Sequence, residues 1–416
     1  MTYRAPLREM QFVLYEVLNG DTVLPELPGC EDATREIMDA MLTEGAKLAE
    51  NVLAPLNTSG DREGCHYDTE TKSVKTPEGF PDAYRQFAEA GWTALAGPVE
   101  YGGQGLPHTL NTLAEEMVCS ANLSLGMYPG LTHGAVNALT SYGSDELKEK
   151  YLPKLISGEW SGTMCLTEPQ CGTDLGLIRT KAEPQADGSY AITGNKIWIT
   201  GGEHDLVDNI VHLVLAKLPD APGGSKGISL FLVPKFLDDG TRNPAFCGGL
   251  EHKMGIKASA TCVMNFENAK GWLIGEPHKG LQAMFVMMNS ARLMVGLQGL
   301  GIAEAAYQVS RDFAKERLQS RSLAGPQAPE KAADPIIVHP DVRRMLLRQK
   351  ATIEGGRALA YFTSMQLDIA HKAATEEERQ QADDMVQLLT PIVKAFLSDE
   401  GFFCANDGLQ LMGGSG

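Results

Sequence analysis

The feature that most constrains this chain is a change of texture along it, from helical to strand-like and back to helical. Residues 1–160 mix apolar and charged side chains at helical spacing, between clusters of glycine and proline. Residues from about 188 to 275 form short β-rich runs, and helical spacing returns after Gly280. Because the strands are not interleaved with long helices, the order predicts three parts, with an antiparallel sheet or barrel in the middle.

Individual elements follow from local patterns. Helices are predicted at Asp32–Val52, Pro81–Ala90, Thr109–Ser120 and Ser144–Ser157. Ser144 is a residue type that caps helix N-termini. Strands are predicted at Ser189–Thr193, Lys196–Thr200, Asn209–Lys217, Gly227–Phe236 and Cys262–Phe266. Gly194-Asn195 favours a tight turn and predicts a hairpin between the first two strands. Gln319–Pro340, rich in alanine and proline, is predicted to be a loop.

Composition limits the partners and the compartment. The formal net charge of −17 disfavours nucleic acid and anionic membrane surfaces, so a polyanionic ligand needs a local basic or amide-lined site. No run of about 18 apolar residues predicts a membrane span. The eight cysteines contain no CxxC pair and no zinc spacing, so neither disulfides nor a metal site are expected. With no signal peptide, we expect a cytoplasmic protein with reduced thiols.

Several catalytic patterns are absent or weak. No G-x-G-x-x-G follows a strand, so a Rossmann nucleotide site has no support. Gly296, Gly299 and Gly301 lie in a helical pattern and indicate close helix packing. The G-x-S-x-G pattern around Ser225 is followed by a strand rather than a helix, which favours a flexible turn over a hydrolase nucleophile. For His204 and His212 a structural role is predicted.

Two segments have richer chemistry. Met164–Asp174 joins an apolar run to a turn whose backbone amides and hydroxyls can face one ligand. Lys196–Gly202 places Trp198 and Thr200 two residues apart, so in a regular strand they share a face. An indole beside a hydroxyl can flank a flat ring and hydrogen-bond its edge. Taken alone, the first segment is more typical of a domain-boundary turn, and the second of a core tryptophan in a sheet.

Together, in this order and separation, the two segments resemble the acyl-CoA dehydrogenase family. Three further segments carry the resemblance to the end of the chain: Glu251–Thr261, Ala291-Arg292 and Gln410–Gly416. Tyr3–Arg8 and the loop before His339–Arg344 resemble its longer bacterial branch, which includes 3-methylmercaptopropionyl-CoA and long-chain acyl-CoA dehydrogenases. The resemblance implies an α+β multidomain fold: an N-terminal helical domain (1–160), a middle antiparallel β-domain (161–277) and a C-terminal helical bundle (278–416).

The resemblance also implies FAD as cofactor, bound across a subunit interface in a homodimer or homotetramer. Trp198 is expected against the isoalloxazine, Thr200 near its N5 side, and Arg317 at the pyrophosphate of the neighbouring subunit. The full set expected to contact FAD is Met164, Cys165, Leu166, Thr167, Thr173, Trp198, Ile199, Thr200, Arg317, Gln410, Gly413 and Gly414.

Thr173, Asn289 and Arg292 are expected to bind the substrate, in part through its CoA moiety. Asn289 replaces an acid of relatives, and Gln319-Ser320 departs from the family sequence that stacks on adenine. Each departure puts one contact in doubt.

The implied reaction is α,β-dehydrogenation of an acyl-CoA thioester, either 3-methylmercaptopropionyl-CoA or a fatty acyl-CoA. Electron-transfer flavoprotein is the implied acceptor. Most relatives carry the catalytic base after the Gly-Gly-Ser-Gly segment, and a minority carry it where Ala291 stands. We therefore expect a C-terminally truncated chain that holds no catalytic base, binds FAD poorly and turns over little. An acyl-CoA oxidase and a non-catalytic flavin- or CoA-binding fragment are the alternatives.

Overall fold

The computed structural model describes residues 3–416. The chain forms two compact units. Unit 1 comprises Met1–Pro55, Leu106–Leu123 and Arg292–Gly416, and unit 2 comprises Leu56–Gly105 and Ser124–Ala291. The three parts expected from the sequence do not coincide with these units, since two long helices contribute to both. The division at residues 160 and 277 therefore stays a prediction.

Unit 1 consists mostly of helices, and unit 2 contains helices in addition to its strands. They are α1 (Leu7–Gln11), α2 (Gly20–Val23), α3 (Arg35–Leu48), α4 (Ala54–Glu63), α5 (Phe80–Glu89), α6 (His108–Tyr142), α7 (Asp145–Ile156), α8 (Gly280–Glu316), α9 (Pro340–Lys372) and α10 (Glu376–Met412). Two π-helical turns, Phe12–Val17 and Ala49–Leu53, adjoin α1 and α3. Short 3-10 turns occur at Val99–Tyr101, Leu175–Leu177, Gly224–Gly227, Ile336–Val338 and Gly413–Ser415.

The strands all lie in unit 2. They are β1 (His66–Tyr67), β2 (Val74–Lys75), β3 (Trp160–Cys165), β4 (Lys181–Pro184), β5 (Tyr190–Thr200), β6 (Asn209–Lys217), β7 (Ile228–Pro234), β8 (Ala245–Leu250) and β9 (Thr261–Ile274). The main sheet has the order β3-β6-β4-β5-β9-β7, and β7 pairs again with β6. Five strands therefore close into a barrel. Most pairings are antiparallel, as expected, but β3 and β4 each run parallel to β6.

Strand β6 is buried on both faces, which explains its continuous apolar sequence. Leu213 and Leu215 belong to a core shared with Leu139 of α6 and Leu155 of α7. Val214, between them in sequence, belongs to a second core inside the barrel. Successive side chains of one strand thus fill two cores, as the two-residue period of a strand requires.

In unit 1 the long helices pack at glycines. A Cβ at Gly299 of α8 would lie 2.2 Å from the Leu397 carbonyl oxygen of α10, and one at Gly401 would lie 2.5 Å from the Gly299 carbonyl oxygen. Only residues without a side chain permit this approach. The prediction that glycines of this segment serve helix packing is confirmed.

A buried charge cluster joins three helices of unit 1. The Arg357 guanidinium on α9 lies 2.6 Å from Glu116 on α6 and 2.9 Å from Glu304 on α8. The Tyr361 hydroxyl also donates to Glu116. All four side chains are buried. The helices of unit 1 are therefore joined by paired charges as well as by apolar contacts.

Several local predictions can now be judged. Ser144 caps α7 by accepting the Leu147 N–H at 3.3 Å, and β6 has the predicted bounds. The hairpin at Gly194-Asn195 is wrong, because both residues lie inside the single strand β5. Gly194 is needed for strand packing rather than for a turn, since a Cβ there would lie 2.3 Å from Thr180 Oγ1. Helix α6 continues far beyond Ser120, past a non-helical residue at Asn122.

Residues 319–340 form an ordered loop rather than a long element, as predicted. Asp334 lies at its centre and accepts the backbone N–H groups of Ser322, Gln327 and Ala328 at 2.7–2.9 Å. Among the described helices, none has the length and apolar content needed to cross a membrane.

Candidate functional site

The first expected site segment runs out of β3 into an exposed turn. The Met164 and Thr167 side chains are half-buried, whereas those of Cys165 and Leu166 are buried in the two cores of unit 2. Thr173 lies farther along, on the exposed part of the turn. Any ligand contact from Cys165 or Leu166 would therefore come from the backbone.

The second segment presents an unusually exposed aromatic side chain. Trp198 is 56% exposed, although it lies in a barrel strand. Its φ of 62° is in the left-handed region, and the pairing with β9 shifts between Lys196 and Ile199. Such a conformation costs a non-glycine residue about 1–2 kcal/mol. Ile199 is buried and Thr200 is half-buried, so a β-bulge replaces the regular alternation expected from the sequence.

The structure brings these two segments together. The Ile197 N–H donates to the Thr167 carbonyl at 2.9 Å, one residue before Trp198. Gly201, just after Thr200, donates its N–H to the Ala260 carbonyl at 2.8 Å. The Met164–Thr167 segment, which includes the end of β3, and the Trp198–Thr200 strand end are therefore neighbours on unit 2.

A buried ion pair that sequence reasoning missed lies beneath them. Lys196 Nζ lies 2.9 Å from Glu168 Oε1 and donates to the Leu166 carbonyl at 3.0 Å. The two side chains are 0% and 3% exposed. A lysine in the otherwise apolar run of residues 196–199 is the sequence signal that could have revealed the pair.

Glu168 is held by several donors at once. It accepts the Thr180 hydroxyl at 2.6 Å, the Arg179 N–H at 2.7 Å and the Gln170 amide at 2.6 Å. Burial raises the pKa of Glu168, but the Lys196 ammonium and these hydrogen bonds more than offset it and lower the pKa to about 2. The carboxylate is therefore ionised at neutral pH.

The remaining expected residues lie on α8, α10 and the loop after α8. Asn289 is exposed at the end of the α8 segment in unit 2, while Arg292 is half-buried at the start of the segment in unit 1. Arg317 is exposed just after α8 ends, and its carbonyl accepts the Ile336 N–H at 2.8 Å. Gln410 is exposed at the end of α10, and Gly413 and Gly414 form the turn that follows.

The surroundings of three other candidate residues do not indicate catalysis: His204, His212 and Ser225. His204 and His212 are buried, and burial lowers the pKa of each to about 3, so both rings are neutral. His204 is within hydrogen-bond distance of Ser161, and His212 of Thr163. Ser225 is exposed in the 3-10 turn before β7, which is not a nucleophile elbow. Within residues 3–416, no cluster of His, Cys, Asp or Glu suits a metal ion.

Comparisons with known proteins place this chain in a family. Models of the N-terminal, middle and C-terminal domains of acyl-CoA dehydrogenases match residues 38–159, 163–269 and 278–416. The chain is 48% identical to a 3-methylmercaptopropionyl-CoA dehydrogenase of Ruegeria pomeroyi, over 100% of this chain and 70% of that protein. This chain belongs to the acyl-CoA dehydrogenase family. A butyryl-CoA dehydrogenase of Syntrophomonas wolfei is 39% identical, over 100% of this chain and 70% of that relative.

The fold agrees with this family membership. An acyl-CoA dehydrogenase from Bacillus anthracis, solved in complex with FAD, superposes with a TM-score of 0.74. The identity is 24%, with 93% of this chain and 62% of that chain covered. The expected order of helical, β and helical parts is confirmed.

The residues of unit 2 fit a flavin in two respects. The exposed Trp198 indole offers a flat apolar surface, and its left-handed backbone carries a strain that a purely structural tryptophan would not need. Thr167, whose carbonyl accepts the Ile197 N–H, is half-buried, so a hydroxyl-bearing residue is a neighbour of that surface. An acyl-CoA dehydrogenase of this sequence therefore has the residue types that an isoalloxazine and its polar edge require.

Proposed function

We propose that this chain is an FAD-dependent acyl-CoA dehydrogenase that desaturates an acyl-CoA thioester between its α- and β-carbons. The observation that carries the proposal is the exposed, left-handed Trp198. Its neighbour Ile197 donates a hydrogen bond to Thr167, the last residue of the Met164–Thr167 segment. The chemistry that FAD supplies when bound is acceptance of a hydride from the β-carbon. The protein must bind the ring, orient the thioester and keep water from the α-carbon.

We assign the roles of the site residues as follows. Trp198 and Met164 provide apolar surface, while Thr200 and Thr167 provide hydroxyls for the polar edge of the ring. The backbone of Cys165, Leu166 and Ile199 completes this face. Thr173, Asn289 and Arg292 bind the substrate, Thr173 also contacts FAD, and Arg317, Gln410, Gly413 and Gly414 contact FAD of a neighbouring subunit. This assignment assumes the three-part division 1–160, 161–277 and 278–416, which the bounds of the family matches support.

The test of the flavin assignment is direct. With FAD in excess we expect the purified protein to be yellow although its affinity is low, and Trp198→Ala to weaken FAD retention further, because the ring loses its apolar contact. Trp198→Phe is the matched control and should retain more FAD, since it keeps an aromatic face. A colourless wild-type protein that cannot be reconstituted with FAD would refute the proposal.

For the substrate we propose 3-methylmercaptopropionyl-CoA ahead of fatty acyl-CoA. The support is the higher identity to the Ruegeria pomeroyi enzyme than to the butyryl-CoA dehydrogenase. Anaerobic bleaching of the flavin absorbance with a panel of acyl-CoAs tests this. Faster bleaching by butyryl-CoA than by the sulfur-containing substrate would reverse the order.

Ala291 cannot remove the α-proton, so we propose that this chain has no catalytic base on α8. The position is half-buried, one residue before Arg292. If the geometry of α8 suits a base there, Ala291→Glu should raise the rate of flavin bleaching. Ala291→Gln has similar size without a proton acceptor and should leave the rate unchanged. Equal rates for both variants would show that a base on α8 does not reach the substrate.

The electron acceptor separates the proposed dehydrogenase from an acyl-CoA oxidase of the same fold. We propose electron-transfer flavoprotein as acceptor. Reoxidation of the reduced flavin should be faster with that protein than with oxygen. Rapid peroxide formation in air would favour the oxidase, and flavin binding without any bleaching would favour a non-catalytic binding protein.

We also propose that the protein is a homo-oligomer, a dimer or a tetramer, in the cytoplasm. One side of α10 supports the first part, because it exposes apolar side chains at helical spacing. These are Met385, Leu388, Ile392, Phe396 and Phe403. A second copy of the chain would cover them and contribute Arg317 to the flavin site. Light scattering should show more than one chain, and Phe396→Glu should lower the mass. Cell fractionation tests the location.

A further inference from the structure

We propose that the buried Lys196–Glu168 pair is a positioning device, which holds Trp198 and the Leu166–Thr167 backbone in the arrangement that binds flavin. The inference deepens the proposed function and rests on it. Neither side chain is exposed enough to contact a ligand, so both act through the residues that they hold.

Contacts on both sides of Trp198 keep its backbone left-handed. A residue in this conformation persists only where its neighbours determine it. On one side, Ile199 pairs with Cys262 of β9. On the other side, Ile197 donates its N–H to the Thr167 carbonyl at 2.9 Å, and the Lys196 ammonium binds the Leu166 carbonyl at 3.0 Å.

The buried position of the Lys196 ammonium determines which groups it can contact. An ammonium group that is fully buried needs a counterion and filled hydrogen bonds. Glu168 supplies the counterion at 2.9 Å. The carboxylate is fixed in turn by the Arg179 N–H and by the hydroxyl and N–H of Thr180. The chain of contacts therefore runs from the start of β4 through Glu168 and Lys196 to the Leu166 carbonyl.

Substitutions of the two members of the pair should have different effects. In Lys196→Met, Glu168 keeps its hydroxyl and backbone donors, but the bond to the Leu166 carbonyl is lost. In Glu168→Gln, a buried ammonium loses its counterion, so the fold itself is also weakened. The double variant removes both charges and should regain stability without regaining the bond to Leu166.

The experiment measures three quantities on Lys196→Met, Glu168→Gln and the double variant. They are urea stability, the Kd for FAD of the apoprotein, and the Trp198 fluorescence of the apoprotein, taken as the difference from the same protein with Trp198→Phe. Glu116→Gln is the control. Glu116 belongs to a buried ion pair of unit 1 and is not part of either segment that we propose to bind flavin.

We expect Lys196→Met to raise the Kd for FAD about tenfold or more and also to lower stability, because Glu168 stays buried without its cation. The double variant should be more stable than Glu168→Gln and yet bind FAD as weakly as Lys196→Met. The Trp198 emission should change in these variants and stay unchanged in Glu116→Gln.

Two results would overturn the inference. One is a Kd that follows stability across all the variants, Glu116→Gln included, since a merely structural pair predicts that correlation. The other is wild-type FAD affinity and Trp198 emission in Lys196→Met. A wild-type protein that takes up no FAD would refute the proposed function instead, while the apoprotein fluorescence would still report on positioning.

Discussion

The two compact units bury charge in different ways. In unit 1, Arg357 joins Glu116 and Glu304, and these three residues lie on three different helices. In unit 2, Lys196 and Glu168 lie close in sequence to an exposed tryptophan and its neighbouring turn. The first cluster joins elements to one another, whereas the second shapes a surface. The role of a buried ion pair therefore depends on the residues that its two members contact, and not on its burial alone.

The largest effect is expected from Arg357→Met. It leaves Glu116 and Glu304 buried without their cation, and such a change costs about 3–5 kcal/mol. Urea unfolding measures the loss, and hydrogen exchange should locate it in α6, α8 and α9. Glu304→Gln keeps the pair of Arg357 with Glu116 and should cost less. A loss under about 1 kcal/mol for Arg357→Met would show that the cluster contributes little to the packing of unit 1.

The next largest effect is a dependence of the stability of unit 2 on pH. The folded pKa of Glu168 is about 2, below the ordinary value of 4.5. Its contribution to stability is therefore present above about pH 4.5 and is lost as the pH falls towards 2. At 1.36 kcal/mol per unit this amounts to about 3 kcal/mol. Comparing urea midpoints at pH 5 and pH 3 checks it. Glu168→Gln should show a smaller decrease, and equal decreases would contradict the assignment.

A somewhat smaller effect of opposite sign is expected in unit 1. Asp368 is buried and accepts the His108 and Thr109 N–H groups and the Thr109 hydroxyl, which are neutral donors. Burial outweighs these bonds and raises the pKa of Asp368 to about 6. Its contribution is therefore present below about pH 4 and is lost as the pH rises through 6, by on the order of 2–3 kcal/mol. Asp368→Asn should remove this slope from the urea midpoints between pH 4 and 6, and an unchanged slope would assign it to other groups.

The smallest effect distinguishes two helix caps. Thr375 and Glu378 form a reciprocal capping box at the start of α10 in unit 1, while Ser144 alone caps α7 in unit 2. Thr375→Ala should cost about 1 kcal/mol, and Ser144→Ala somewhat less, because one fewer bond is lost. Thermal unfolding of the two variants compares them. A larger loss for Ser144→Ala would reverse the expected order.

Much of the fold could be predicted from local patterns. The bounds of β6 and the cap at Ser144 depend on neighbouring residues, and both predictions were correct. The hairpin at Gly194-Asn195 failed because the need for glycine there comes from Thr180, whose hydroxyl would lie 2.3 Å from a Cβ at Gly194. A glycine required by close packing and one required by a turn look the same in sequence.

The candidate site was predictable only in part. Trp198 and the Met164–Thr167 segment could be selected from their order and separation, and the structure shows them hydrogen-bonded through Ile197 and Thr167. The apolar run around Lys196 could have indicated a buried lysine, but not its partner, because Glu168 is 28 residues away and meets it only in the folded chain. Periodicity likewise could not reveal the bulge, because it depends on pairing with β9.

The closed ring of strands limits how far the indole on β5 can change its position. Both edges of β5 are occupied, by β4 and by β9, and the circuit returns through β7 and β6. A slip of β5 by one residue would turn its inward side chains outward and would have to break its pairings with both β4 and β9. The indole is thus on a strand that is paired along both edges. Its position should remain accurate up to the conditions under which the barrel itself melts.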